Sequence, residues 1–361
     1  MRAFRPLRVA LVGCGAVSKL YYAPALRELE RSGQLEVAAL FDPGPGSLST
    51  LHTTFPGAVA VRDFDELTRM SLDLAIVASP PQFHGAQAIQ LLQAGLSVLC
   101  EKPMALSVVE GEAMVAAATA SQRLLSIGLV RRFLPAARTI QTLLSRNMLG
   151  DVESFSFQEG RPFKWPVQSA AYFRDNGVLR DIGVHVLDLL IWWWGQPEDI
   201  QYEDDCMGGV ELNCRVRLKF ARGFTGEVRL SREFHLSNAV VIQCKHGNIR
   251  WDIDESNRLQ IGLHDSGYRL AGKLHTLTGS DSGLMELGPA AADFQQSFLN
   301  QLKNVVAAVR GSEPLRVPGE AGLAGLKAIE KCYDRRTLMN MPWLGGQEVL
   351  RARQPGGGLP G

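Results

Sequence analysis

The sequence lacks an excess of charge of either sign. Its 38 Lys and Arg residues nearly balance its 37 Asp and Glu residues, so the formal net charge is +1 over 361 residues. Proteins that bind nucleic acid or an anionic membrane surface through their overall field are usually strongly basic. We therefore expect a small-molecule substrate, and neither nucleic acid nor a membrane among the partners.

Cysteines are few and show no metal or disulfide pattern. None forms a CxxC pair or stands at zinc-ligand spacing from a histidine; they are Cys14, Cys100, Cys206, Cys214, Cys244 and Cys332. Scattered cysteines in a large chain are typical of buried apolar side chains in a reducing compartment. No apolar run approaches the ~20 residues of a membrane span, and residues 1–6 are too few for a signal peptide. We predict a cytoplasmic protein without a bound metal.

Two kinds of hydrophobic pattern divide the chain. Up to residue 128, short apolar runs alternate with longer stretches of helical spacing, which indicates an α/β domain with a doubly wound parallel sheet covered on both faces. The runs are Leu7–Val12, Leu35–Phe41, Leu72–Ala78, Ser97–Cys100 and Leu124–Leu129. Residues 129–344 are predicted to form a second α/β domain, and the Gly- and Pro-rich residues 345–361 a flexible tail.

The second domain is predicted to hold a large open sheet, mixed or antiparallel. Consecutive β runs with short links occupy residues 211–262, a spacing typical of such sheets. A further strand is predicted at 152–158 and a loop at 264–290. The predicted helices span residues 134–148, 181–194, 291–310 and 319–336.

A glycine-rich turn follows the first apolar run. Gly13 would form the tight turn, and Gly15 would let the backbone approach a pyrophosphate at the helix N-terminus, which begins with Ala16 and Val17. Ser18 stands in place of the third glycine of the usual dinucleotide pattern. By itself the string is equally typical of any tight strand-to-helix turn.

Asp42 strengthens the dinucleotide interpretation. It ends the second apolar run, at the place where an acidic side chain binds the ribose 2′-hydroxyl of NAD. The same carboxylate would repel the 2′-phosphate of NADP, and residues 43–46 contain no arginine. NAD is therefore predicted over NADP. The alternative is an aspartate that only precedes a Pro-Gly turn.

Two further segments carry groups suited to catalysis. Lys102 follows the fifth apolar run, at the carboxyl end of the predicted sheet, where its ammonium could stabilise negative charge on a substrate oxygen. Asp181, His185 and Asp188 would fall within roughly 60° on one helix face, and a histidine can accept a hydroxyl proton near neutral pH. The structural alternatives are a surface Glu-Lys pair and a helix-capping aspartate near a hydrogen-bonded histidine.

These residues, in this order, resemble the glucose–fructose oxidoreductase, inositol dehydrogenase and MocA family. A Glu-Lys-Pro motif and an Asp-x-Gly-x-His-x-x-Asp motif behind a dinucleotide turn form a specific combination, and the matches run across most of the chain. They are residues 12–15, Asp42, 77–81 with His84, 95–103, Arg132-Phe133 with Pro135, 150–152, 177–188, 320–323 and 328–330. The sequence departs from the family at Arg180, where an apolar residue is common, and in having no glycine run before Asp181.

The resemblance implies an N-terminal Rossmann domain and a C-terminal α/β domain whose open sheet forms homodimers or homotetramers. It implies Lys102 beside the nicotinamide and the substrate hydroxyl, with a cis Lys102–Pro103 bond, Asp181 as a substrate ligand and His185 as general base. The cofactor-binding set is then Gly13, Gly15, Ala16, Val17, Asp42, Ser79, Pro80, His84, Glu101 and Lys102. The substrate-binding set is Lys102, Arg132, Trp165, Tyr172, Arg180, Asp181 and His185.

The sequence thus predicts an NAD(P)-dependent oxidoreductase. It would transfer a hydride reversibly between the nicotinamide and a secondary alcohol of a sugar, cyclitol or sugar nucleotide. Two alternatives stay open: an NAD-dependent glycosidase of the same fold, which shows no net cofactor turnover, and a non-catalytic dinucleotide-binding sensor, which has no need of Lys102, Asp181 and His185. Arg180 would either contact an anionic substrate group or be solvated.

Overall fold

The protein is described by a computed structural model that covers residues 5–162, 176–206, 209–254, 258–264, 269–273 and 294–340. Within these ranges the chain divides into two compact units. The first contains the residues up to Phe133 and those from Phe294 to Leu326. The second contains the residues from Leu134 to Lys273 and from Lys327 onward. The first unit is therefore assembled from two separate parts of the chain.

The described residues form the following regular elements. The strands are β1 (Leu7–Val12), β2 (Leu35–Phe41), β3 (Val59–Val61), β4 (Leu74–Val77), β5 (Ser97–Cys100), β6 (Leu125–Ile127), β7 (Val152–Gly160), β8 (Asp199–Asp204), β9 (Asn213–Lys219), β10 (Thr225–Ser231), β11 (Ala239–Cys244), β12 (Gly247–Asp252), β13 (Arg258–Leu263), β14 (Arg269–Lys273) and β15 (Arg336–Leu338). The α-helices are α1 (Ala23–Arg31), α2 (Pro45–Thr54), α3 (Phe64–Arg69), α4 (His84–Gln93), α5 (Val108–Ser121), α6 (Pro135–Ser145), α7 (Val184–Trp194), α8 (Phe294–Val309) and α9 (Gly319–Asp334).

The sheet of the first unit is parallel throughout. Its strand order is β3-β2-β1-β4-β5-β6. This is the order of the dinucleotide-binding doubly wound fold, and its direction reverses between β1 and β4. Ligands of such sheets bind outside the carboxyl ends of the strands at that reversal. The segments that follow β1, β4 and β5 are therefore the ones to inspect for a site.

The core of the first unit draws on both parts of its chain. β1, β2 and β4 consist almost entirely of buried residues, because helices cover both faces of the sheet. Leu26 and Leu29 of α1 lie in the same apolar cluster as Phe298, Leu302 and Val305 of α8. A helix made late in synthesis thus fills part of the N-terminal core.

The sheet of the second unit has the order β14-β13-β12-β11-β7-β10-β9-β8-β15. β10 pairs parallel with β7, and β15 pairs parallel with β8, whereas the other neighbours are antiparallel. Side chains alternate along the strands: Val216 and Leu218 of β9 are buried, and Arg217 and Lys219 are exposed. One face of the sheet is therefore apolar and covered, and the other is polar.

An aromatic cluster fixes α7 to the apolar face. The ring of Trp194 lies 4.9 Å from that of Phe155 on β7 and 5.1 Å from that of Phe224 (centroid to centroid). The indole of Trp193 donates a hydrogen bond of 3.2 Å to the carbonyl of Ala137 on α6. The Phe155 ring fills the space that a side chain at position 226 would need, which explains Gly226. The helix that carries His185 is thereby anchored at its C-terminal end.

The structure confirms the predicted fold class and differs from the prediction in detail. Residues 294–326 had been assigned to the second domain, but α8 and the first half of α9 pack into the first unit. The prediction of a loop at 264–290 was wrong for Arg269–Lys273, which forms β14 on the sheet edge. The Pro-Gly turn after Asp42 contains the start of α2 at Pro45, because proline is well tolerated in a first helical turn. The predicted tail lies outside the described residues.

Candidate active site

The turn after β1 is held tightly against the segment after β4. Gly13 has a φ of +89°, and a Cβ there would lie 2.6 Å from the backbone carbonyl of Ala78 and the backbone nitrogen of Ser79. Gly13 N–H donates to the carbonyl of Phe41 at 2.8 Å, and the Ser18 hydroxyl donates to the carbonyl of Gly13 at 2.5 Å. Glycine is therefore required at position 13 for the fold itself.

Gly15 stands in different surroundings. A Cβ at this position would meet no atom within 4 Å, and Ala16 and Val17 are exposed beside it. Open space over a glycine at a helix N-terminus is the cradle that a pyrophosphate occupies in dinucleotide-binding folds. The turn therefore fits a dinucleotide, which Gly15, Ala16 and Val17 would hold through their backbone.

Asp42 ties the turn to the next loop. Its Oδ2 accepts a hydrogen bond of 2.7 Å from Cys14 N–H, and its Oδ1 accepts one of 2.7 Å from Gly44 N–H. A carboxylate can accept about four hydrogen bonds, so the Asp42 side chain can still accept hydrogen bonds from the hydroxyl groups of a ribose. Asp42 thus has a structural function in the Pro-Gly turn, which agrees with the alternative given above, and also a hydrogen bond to the turn after β1 that the sequence did not indicate.

Lys102 lies at the carboxyl end of β5, as predicted. Glu101 N–H donates to the carbonyl of Val77 at 2.8 Å, so the segment continues beside the end of β4. The Lys102–Pro103 peptide bond is cis, which confirms the expectation drawn from the resemblance. The side chain of Lys102 is half-buried.

Glu101 is buried beneath this segment. The Tyr22 hydroxyl donates to Glu101 Oε1 at 2.6 Å, and Lys102 N–H donates to Oε2 at 3.0 Å. Burial raises the pKa of Glu101, against the hydrogen bonds from Tyr22 and Lys102, which lower it. Both oxygens of Glu101, which was predicted among the cofactor ligands, are thus hydrogen-bonded to groups of the protein, one of them to the backbone of Lys102.

His84 joins two of the site segments. Its Nδ1 lies 2.8 Å from the carbonyl oxygen of Pro103, and its Nε2 lies 2.7 Å from that of Ser79. The ring is almost fully buried at the start of α4, and this burial lowers the pKa of His84. His84 therefore has a structural position, whereas Ser79 is half-buried and Pro80 is exposed at the carboxyl edge of the sheet.

In the second unit, the Asp-x-Gly-x-His segment begins in a π turn and ends in an α-helix. Residues Leu179–Gly183 form a π turn, and α7 follows directly. Because a π turn is wider than an α turn, Asp181 does not keep the 100° spacing to His185 that we assumed for one helix face. Asp181, His185 and Asp188 are all buried, and each has an interaction partner.

Asp181 forms an ion pair with Arg232, a residue that the sequence analysis did not select. The two side chains are only 11% and 19% exposed. Arg232 follows β10, and its N–H donates to the carbonyl of Leu212 at 2.8 Å. The pairing gives the buried carboxylate of Asp181 the cation that burial of a charge demands.

Arg180 lies over an aromatic ring. Its guanidinium carbon is 5.3 Å from the ring centre of Tyr333, a cation–π geometry. The Tyr333 hydroxyl donates to Glu211 Oε1 at 2.9 Å, and Leu179 N–H donates to the same oxygen at 3.0 Å. Burial raises the pKa of Glu211 and of Tyr333. Arg180 is thus placed by packing, rather than simply solvated.

The remaining predicted substrate residues divide into two groups. Arg132 is buried in the short 3₁₀ turn Val130–Phe133 after β6. Trp165 and Tyr172 lie outside the described residues. Tyr22, Glu211, Arg232 and Tyr333 were not predicted, because each meets its partner through the fold and no spacing in the sequence links the two.

No three His, Cys, Asp or Glu side chains of the described residues converge as a metal site. Among the helices described, none combines the length and apolar character needed to cross a bilayer.

Comparisons with known proteins identify the family. Residues 7–129 match the oxidoreductase family with an NAD-binding Rossmann fold, and residues 137–250 match the GFO/IDH/MocA C-terminal domain. Scyllo-inositol 2-dehydrogenase (NADP(+)) of Bacillus subtilis is 24% identical over 354 residues, covering 92% of this chain and 96% of the relative. Glucose-6-phosphate 3-dehydrogenase of the same species is 29% identical over 193 residues, covering 52% of this chain and 53% of the relative.

A solved structure shows the same fold. The crystal structure of the WlbA dehydrogenase from Bordetella pertussis, in complex with NADH and UDP-GlcNAcA, has a TM-score of 0.77 at 20% identity. The match covers 92% of this chain and 95% of that one. With both of its domain models matched in order, the chain belongs to the Gfo/Idh/MocA family of oxidoreductases.

Proposed function

We propose that the protein catalyses reversible hydride transfer between a nicotinamide and a secondary alcohol of a sugar, cyclitol or sugar nucleotide. One observation carries the proposal: the turn after β1, the loop after β4 and the Lys102 segment after β5 are linked to each other at the carboxyl end of one sheet. Gly13 packs on Ala78 and Ser79, and His84 contacts both Ser79 and Pro103. The relatives' names supply the class of substrate.

The proposed chemistry assigns one task to each polar group. When bound, the nicotinamide supplies the hydride acceptor or donor. Lys102 donates a hydrogen bond to the substrate oxygen and stabilises the negative charge that develops there. His185 accepts the hydroxyl proton in the oxidation direction. Asp181 binds substrate, and its ion pair with Arg232 keeps its carboxylate in place.

NAD is proposed as the cofactor. The Asp42 carboxylate would repel a 2′-phosphate, and the loop after it contains no arginine. One relative is named for NADP(+), and one solved structure contains NADH, so a direct measurement is required. In a fluorescence titration, we expect NADH to bind with a lower dissociation constant than NADPH. Equal affinity for the two cofactors would contradict the role given to Asp42.

The function is tested by replacing the proposed catalytic groups. We expect Lys102→Met to lower kcat about 10²–10³-fold, the usual cost of losing one charge-stabilising group, and His185→Asn to lower it about 10²–10⁴-fold. NADH affinity should change little in either variant. The control is Lys303→Met, which removes a half-exposed lysine that lies 3.5 Å from Glu28.

The assay follows absorbance at 340 nm with scyllo-inositol, glucose 6-phosphate and UDP-GlcNAcA as first substrates. Near-normal turnover by Lys102→Met would reject its assignment. Cleavage of a glycoside with only trace NAD would identify the glycosidase alternative, and NADH binding without any reaction would identify the sensor.

The assembly and location are also proposed. The polar face of the nine-stranded sheet carries complementary pairs, such as Arg215 with Glu203 at 2.9 Å and Arg217 with Glu227 at 3.3 Å. We propose that this face joins protomers into a homodimer or homotetramer, which light scattering during gel filtration would detect as two or four chains. The six free, buried cysteines support the proposal that the protein functions in the reducing cytoplasm.

A further inference from the structure

Tyr22 occupies an unusual position at the start of the first helix. It ends the π turn Ser18–Tyr22, in which Ala23 N–H donates to the carbonyl of Ser18, one residue beyond the α-helical partner. Its side chain is fully buried, and its ring meets that of Phe298 edge-on at 5.1 Å. Single π turns within helices are frequent at functional sites.

The Tyr22 hydroxyl forms a chain of two hydrogen bonds to the backbone of Lys102. It donates to Glu101 Oε1 at 2.6 Å, and Glu101 Oε2 accepts from Lys102 N–H at 3.0 Å. Both acceptor oxygens belong to one buried carboxylate. The hydroxyl therefore sets the position of Glu101, and Glu101 sets the position of the backbone that carries the lysine.

The carboxylate has no room to move on its other side. A Cβ at Gly128 would lie 2.8 Å from Glu101 Cδ and Oε1 and 2.9 Å from Oε2. The backbone after β6 therefore closes this side of the carboxylate. Gly128 N–H donates to the carbonyl of Cys100 at 2.7 Å, which fixes the backbone at this point.

We propose that Tyr22 is a positioning residue for Lys102, acting through the Glu101 carboxylate. The proposal rests on the proposed function of Lys102 at a substrate oxygen. Misplacing a reacting group by 1 Å can cost on the order of 10²-fold in rate, so a fixed backbone at Lys102 has a direct effect on the reaction. The phosphate-binding turn and the Lys102 segment are thereby joined through the first residues of one helix.

The neighbouring tyrosine provides the matched control. The ring of Tyr21 stacks on that of Phe298 at 4.7 Å with an interplanar angle of 9°, and lies 5.8 Å from that of Phe294. Both tyrosine rings thus contact Phe298, Tyr21 face to face and Tyr22 edge-on, but among the described residues Tyr21 contributes packing alone. Tyr21→Phe and Tyr22→Phe remove the same atom from adjacent residues of one turn.

The first test measures backbone protection and requires no substrate. Hydrogen–deuterium exchange is followed by mass spectrometry in a peptide containing residues 99–104, with a peptide from α5 as internal reference. We expect exchange of the Lys102 amide to be at least about tenfold faster in Tyr22→Phe, and unchanged in Tyr21→Phe. Unchanged exchange in Tyr22→Phe would overturn the proposal, and so would equal acceleration throughout the first unit, which indicates a purely structural role.

The second test measures turnover of the substrate that the absorbance assay at 340 nm has identified. We expect Tyr22→Phe to lower kcat at least about tenfold while the NADH dissociation constant stays near that of the wild type. In a double-mutant cycle, Tyr22→Phe should have no additional effect on kcat in the presence of Glu101→Gln, because the two residues act as one unit. Independent, multiplying effects would overturn the proposal. A wild type that turns over no substrate rejects the proposed function, and the exchange experiment then decides this proposal alone.

Discussion

The two glycines of the turn after β1 should respond differently to replacement by alanine: Gly13→Ala should lower the stability of the protein, and Gly15→Ala should lower its affinity for the cofactor. Gly13→Ala places a methyl group 2.6 Å from backbone atoms of Ala78 and Ser79, and at a φ of +89° that L residues rarely adopt. Backbone strain costs about 1–3 kcal/mol, and overpacking costs about 1–3 kcal/mol. A loss near 4 kcal/mol lowers the melting temperature by roughly 8–16 °C in a domain of this size.

Gly15→Ala should leave the stability of the free protein unchanged and lower its affinity for the cofactor. No atom lies within 4 Å of the new methyl group, so the free energy of unfolding should change by less than about 0.5 kcal/mol. The same methyl group would occupy the space proposed for the pyrophosphate. We expect NADH affinity to fall at least about tenfold, which corresponds to about 1.4 kcal/mol.

Two measurements separate these effects. Thermal unfolding without cofactor reports the stability of each variant, and fluorescence titration with NADH reports its affinity. The reasoning fails if Gly13→Ala has the same melting temperature as the wild type, or if Gly15→Ala binds NADH as tightly as the wild type does. In the second case the open space over Gly15 would have no relation to the cofactor.

Two further predictions concern charge and ionisation. Arg232→Gln removes the cation that pairs with the buried Asp181 carboxylate, and urea denaturation should show a fall of about 3 kcal/mol in the free energy of unfolding. In the control Arg217→Gln, the replaced side chain is 52% exposed, and the free energy of unfolding should fall by less than about 1 kcal/mol. Equal losses in the two variants would contradict burial of the Asp181 pair. Burial raises the pKa of Cys14 to about 12, so at pH 8 only about one Cys14 thiol in 10⁴ is a thiolate. Iodoacetamide should therefore label Cys14 in urea and not in the native protein, and rapid native labelling would show that the turn opens.

Local patterns were sufficient to predict the parallel sheet and the Lys102 segment. Buried parallel strands have continuous apolar runs, and these runs place Gly13, Asp42 and Lys102 at strand ends without knowledge of the tertiary fold. The cis bond before Pro103 followed from the resemblance and is confirmed. The catalytic roles of Lys102 and His185 stay predictions.

Other features depended on contacts that no local pattern encodes. The π turns at Ser18–Tyr22 and Leu179–Gly183 shift side chains by a fraction of one turn, too little to change the apolar periodicity. The ion pair of Asp181 with Arg232 and the hydrogen bond of Tyr22 with Glu101 join residues from distant parts of the sequence. Such pairs can be recognised only from the tertiary structure, which brings the two residues together.

The discontinuous first unit has a consequence for synthesis on the ribosome. Phe298, Leu302 and Val305 belong to the same apolar cluster as Leu26 and Leu29, yet eight of the nine strands of the second sheet, β7 to β14, are translated between them. At about 5–20 residues per second, the nascent N-terminal segment waits tens of seconds for the helix that covers it. During that interval the apolar side chains of α1 that contact α8 are uncovered, and transiently exposed apolar surface of this kind favours aggregation and chaperone binding.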